Sequence, residues 1–118
     1  MANLPNEMLQ AIIVETVDTM PEELLAFYRN PPGRSPHEHV RQIQTAIENI
    51  DDPTAKLLIR DVVDGVVFQL LYLIESEFKE RRIETIIRQG SVSHELAGSA
   101  LPTSYRERID PGGAHVTD

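Results

Sequence analysis

Thirteen consecutive residues, Val62 to Ile74, include only three that are neither apolar nor aromatic: Asp64, Gly65 and Gln69. The run follows Asp61 and leads into a charged stretch, ESEFKERRIETIIRQG, that ends at Gly90. A helix that crosses a bilayer needs about 20 apolar residues, and a carboxylate inside it is costly. The run is therefore expected in a protein core, with no membrane as partner. A segment so apolar must be covered by its neighbours, and a chain of 118 residues is long enough to supply them.

What surrounds the run is acidic. The chain has 19 Asp and Glu against 11 Lys and Arg, a formal charge of -8. Nucleic-acid binding normally requires a basic stripe, so no nucleic-acid partner is expected. Residues 1–28 hold Glu7, Glu15, Asp18, Glu22 and Glu23 without a Lys or Arg, a surface suited to a basic protein partner. The local basic excess at Lys79, Arg81, Arg82 and Arg88 is diluted by Glu80 and Glu84. Without cysteine, disulfides, thiolate metal sites and Cys nucleophiles are excluded. The N-terminal sequence has no basic, apolar leader pattern, and a cytoplasmic location is the default expectation.

Helical periodicity dominates, and no strand pattern is evident. Leu9, Ile12, Ile13, Val17 and Met20 fall on one helical face. Thr19-Met20-Pro21-Glu22 reads as a restart, with Thr19 capping, and the next helix carries Leu24, Phe27 and Tyr28 up to Asn30-Pro31-Pro32-Gly33. Ser35-Pro36-His37-Glu38 combines an N-cap, a proline and a capping-box acid, and opens a helix burying Val40, Ile43, Ile47 and Ile50. Asp52-Pro53 repeats that signal. The helix it starts is expected to run to about Gln89, with Gly90 as its stop. At about 1.5 Å per residue it would be about 55 Å long, too long for one core. Its apolar face is centred on Val63, Val67, Leu70 and Ile74 as far as Phe78, whereas Ile83, Ile86 and Ile87 lie on another side. From Ser91 the texture turns to Ser, Gly and Pro, a tail with short helical turns at Ser93–Ala97 and Thr103–Ile109.

One constellation could carry chemistry. Asp61 and Asp64, three apart, share a helix face, and Glu22 and Glu23 lie on another helix. Carboxylates from two helices can hold Mg²⁺ and a bridged phosphate. The pattern loosely resembles the all-α nucleoside triphosphate pyrophosphohydrolases, whose motif pairs a Glu-Glu-x-x-Glu helix with a later Glu-x-x-Asp helix. Glu22 and Glu23 match the first two positions, Ala26 stands where the third acid belongs, and Asp61 replaces Glu ahead of Asp64. The intervening stretch is also longer than that family's. The resemblance implies a Mg²⁺-dependent phosphohydrolase with Glu22, Glu23, Asp61 and Asp64 as metal ligands.

The same stripe has a second use. Phe68 and Tyr72 share the face of Asp61 and Asp64, an amphipathic mixture that suits a protein interface. His37 and His39 differ by two, not the three or four that puts ligands on one helix face, and His94 and His115 lie in the tail. No serine lies in a nucleophile elbow, and Pro111-Gly112-Gly113 reads as a turn, not a phosphate loop.

These residues lead to an all-α fold: a small bundle of about four helices over 1–90 with a long apolar fourth helix, then an irregular C-terminal arm over 91–118. The expected function is non-enzymatic, that of a small acidic protein-interaction module. An inhibitor or immunity-type role against a basic partner fits its size and charge, as do adaptor and scaffold roles. No cofactor is expected, with Mg²⁺ only on the phosphohydrolase reading. Asp61, Asp64, Phe68, Tyr72, Ile83, Ile86 and Ile87 are the expected interface, and a homodimer through the long helix is the expected assembly.

Overall fold

The structure, a computed structural model, describes residues 3–110. His115 and the Pro111–Gly113 turn expected from the sequence lie outside them. The chain is mostly helical, with one small two-stranded sheet: α1 (Leu4–Ile12), α2 (Met20–Arg29), α3 (Glu38–Ile47), α4 (Asp52–Tyr72), α5 (Phe78–Glu80), β1 (Ile86–Gln89), β2 (Val92–Glu95) and α6 (Leu101–Ile109). A π-helical turn follows α1 at Ile13–Val17, and a second follows α4 at Leu73–Glu77. None of the described helices is long and apolar enough to cross a membrane.

The chain divides into two compact units, and the boundary falls inside α4. One unit is Val14–Asp64; the other joins the residues up to Ile13 with those from Gly65 onward.

In Val14–Asp64 the helices start by local capping. Asp51 accepts the Thr54 N–H at 3.0 Å and so caps α4, one residue earlier than the expected Asp52. With Asp52 already in the helix, its carboxylate is free to meet Arg29 at 3.2 Å. The Thr54 side chain and backbone N–H, helped by Arg29, hold the Asp51 carboxyl below its ordinary pKa. Thr19 does not cap α2. Its hydroxyl donates to the Val14 carbonyl, an acceptor in the first π-turn. Likewise α3 begins at Glu38 with His37 as its cap, not at the expected Ser35; the His37 carbonyl accepts the first helical N–H groups, from Val40 and Arg41. The buried apolar residues of this unit are few: Val17, Leu25, Val40 and Ala55.

The other unit has a fuller core of Leu4, Leu9, Ile13, Val67, Leu71, Leu96, Leu101 and Tyr105. Here α1 packs against the hairpin and α6, and Arg108 reaches Gln10 at 3.1 Å. Within the apolar run Val67 and Leu71 are buried, whereas Leu70, expected at the centre of the core face, is exposed.

The helix expected to reach Gln89 stops at Glu80. Arg82 takes the left-handed conformation (φ 61°), and the Ile83 N–H reaches back to the Phe78 carbonyl while the Arg82 N–H bonds that of Lys79. This pair of bonds is a Schellman termination, built on arginine instead of the usual glycine. Gly90 is therefore not a helix stop. With φ 61° it is the first residue of the two-residue Gly90-Ser91 turn joining β1 to β2. Positive φ at the first position alone is the type II′ geometry that matches strand twist. The strands pair antiparallel, Ile86 opposite Glu95 and Gln89 opposite Val92. The arm expected to be irregular thus contains a strand at Val92–Glu95, where a helical turn was expected, and a nine-residue helix at Leu101–Ile109, which includes the other expected turn.

The second π-turn presents Glu75 to the start of α6. Its carboxylate accepts the Gly98 N–H at one oxygen and the Leu101 N–H at the other, the latter at 3.1 Å. Ala100, the local cap position, has no side-chain acceptor, so the cap comes from elsewhere in the chain.

Candidate functional site: an apolar groove between three helices

Three helices of the Val14–Asp64 unit line a groove of about 290 Å³. Helix α2 gives Leu24 and Tyr28, α3 gives Ile43 and Ile47, and α4 gives Leu58, Ile59, Val62 and Val63. Each wall is built from residues four apart, which a helix stacks on one face about one turn apart. Only apolar surface lines the groove. It is also open: Ile43 is 36 % exposed, Leu58 54 % and Val62 58 %.

Arg29 holds the walls in place. Its guanidinium donates to the Ile47 carbonyl at 2.6 Å and to the Ile50 carbonyl, and it also bonds Asp52. Gln44 of α3 donates to the Arg29 carbonyl at 3.3 Å. One side chain thus ties the end of α2 to the end of α3 and the start of α4. The flank of α4 is set by Lys56 with Glu22 at 3.1 Å and Arg60 with Asp18 at 3.8 Å. A second recess, lined by Thr54, Leu57, Leu58 and Asp61, shares Leu58 with the groove.

The expected interface residues are divided between the two units. Asp61 and Asp64 belong to the groove-bearing unit; Phe68, Tyr72, Ile83, Ile86 and Ile87 belong to the other. Phe68 is half-buried, with the Arg106 guanidinium 4.6 Å from its ring centre. Tyr72, Ile83 and Ile86 are exposed, while Ile87 is half-buried in β1 opposite His94. Among the described residues no group of three or more His, Cys, Asp or Glu side chains could hold a metal ion, and Glu22 is paired with Lys56. The rings of His37 and His39 stack at 5.9 Å.

The sequence pattern puts Leu24 and Tyr28 on the second helix, Ile43 and Ile47 on a buried face and Val62 and Val63 in the apolar core run, and gives no role to Leu58 and Ile59. One signal could have found them. Leu57, Leu58, Ile59, Val62 and Val63 occupy more than one side of α4, more than two short neighbouring helices can cover. No family model, curated protein or solved structure matches the chain.

Proposed function

We propose that this protein is a non-enzymatic protein-interaction module, and that its contact surface is the groove between α2, α3 and α4. The observation that carries the reading is a groove lined by eight apolar side chains in a unit with only four buried ones outside proline. A monomer gains nothing from holding Ile43, Leu58 and Val62 in water, whereas a partner covering them gains about 25 cal/mol for each Å² buried. A small-molecule site would instead set a few polar groups among its apolar walls. The long fourth helix, apolar on several sides, is the principal docking element. The net charge of -8 favours a basic partner and suits an inhibitor, adaptor or scaffold.

A photoreactive benzoylphenylalanine placed at Val62, with Ser93 as the control position, tests this in extract of the source cell. Discrete protein adducts at Val62, absent at Ser93, are expected. Irradiation that yields no adduct specific to Val62 rejects the groove as a contact surface.

A further inference from the structure

We infer that the groove's occupant is a basic amphipathic helix, seated by two aliphatic side chains one helical turn apart; this rests on the protein-interaction reading above. The first argument is register. All three walls repeat at four residues, a rise of about 6 Å along each helix. A partner helix carries its own side chains at the same repeat, so its residues at one position and four further on meet the groove together, as in helix-in-groove recognition. An extended strand would turn successive side chains to opposite faces and offer neighbours on one face about 7 Å apart with a backbone needing hydrogen-bond partners, for which this apolar lining has no acceptors or donors.

The second argument is charge. Val14–Asp64 carries ten Asp and Glu against five Lys and Arg. Three of the five are committed within the unit, Arg29 to Asp52, Lys56 to Glu22 and Arg60 to Asp18. The unit keeps an excess of five acids whichever of these groups pair. Asp61 lines the recess that shares Leu58 with the groove. Lys or Arg flanking the two aliphatic anchors would meet this field, while an acidic helix or a second copy of the same face would be repelled. The charge therefore selects a heterologous, basic partner.

The probe is a fluorescein-labelled synthetic peptide with two leucines four residues apart on an Ala/Lys/Arg background. Binding to the full chain is followed by anisotropy, and peptide helicity by circular dichroism. Two control peptides have the leucines two apart, on opposite faces, or have Glu in place of every Lys and Arg. The first peptide should bind, become helical, and lose affinity at about 1 M salt, where charges are screened within about 3 Å. Each control should bind about tenfold more weakly. Val62→Glu should weaken the first peptide about tenfold although it adds an acid, and Leu58→Gln should do the same. Both side chains are more than half exposed, so both variants keep the fold, which their own spectra check. Asp61→Asn should weaken binding a few-fold and flatten its salt dependence. Equal binding by either control, or indifference to both Val62→Glu and Leu58→Gln, overturns the inference. If the peptide fails while Val62 still yields protein adducts, the helix assignment falls alone; if both are silent, the interaction reading falls with it.

Discussion

Arg29 directs its guanidinium at three segments at once: the last turn of α3, the carbonyl of Ile50 beyond it, and Asp52 at the head of α4. Charged hydrogen bonds contribute about 1.5–3 kcal/mol, and an ammonium group cannot reproduce the fork. Arg29→Ala is therefore expected to lower stability by about 2 kcal/mol in urea titration, and Arg29→Lys to recover less than half of that. Asp51 acts by titration. Its folded pKa is held below the ordinary value by Thr54, so the stabilisation is present above the unfolded pKa and is lost as pH falls through the folded one. Melting temperatures recorded from about pH 6 to about pH 2.5 should show wild type above Asp51→Asn at the neutral end, with the gap closing at the acid end. A gap that widens on acidification would contradict the assignment. Asn retains capping ability, so the variant isolates the charge.

At the scale of elements, the end of the long helix shows what a residue can hide. Arg82 sits where glycine is favoured, and a left-handed conformation costs an L-residue about 1–2 kcal/mol. Arg82→Gly should thus stabilise the chain by about 1 kcal/mol, a rise in melting temperature of several degrees for a chain of this size. A lower melting temperature would mean that the arginine side chain matters more than its backbone. The same substitution explains what was legible. Helices with proline and cap signals, such as those opening at Asp51-Asp52-Pro53 and Met20-Pro21, are visible in the sequence to within a residue or two. The Schellman stop was not, because its usual marker is absent. Ile86 and Ile87, read at helical spacing, could not reveal that they belonged to a strand. Gly90-Ser91 between IIRQ and VSHE was the available hairpin signal, and it competed with an equally sound reading of Gly90 as a helix cap. For the groove, periodicity brought Leu24 with Tyr28 and Ile43 with Ile47 onto common faces, but it missed the buried Leu25, and it cannot say whether a face is covered. Only the packing of α4 leaves Ile43 and Val62 in solvent.

For the whole molecule, the exposed apolar residues outside the groove bear on assembly. Tyr72, Ile83 and Ile86 belong to the unit whose charge is less lopsided, since it includes Lys79, Arg81, Arg82 and Arg88. We propose that copies pair through these residues, which leaves the groove for a heterologous partner. Light scattering at micromolar concentration is then expected to give about twice the chain mass of 13.3 kDa, with Ile83→Asp and Ile86→Asp together returning it to one. A single-chain mass that does not change with concentration would refute the pairing.

The division of the chain also has a consequence in time. The groove-bearing unit is one uninterrupted stretch, Val14–Asp64, whereas the other must wait for α6 before its two ends can meet. Translation at about 5–20 residues per second leaves roughly 45 residues, a few seconds, between completion of the first and completion of the second. By the end of that interval every wall of the groove has been synthesised, and Leu101 and Tyr105 of the other unit are among the last described residues to be added. The residues of the groove thus come from one continuous stretch of synthesis, whereas the other unit draws on both early and late parts of the chain.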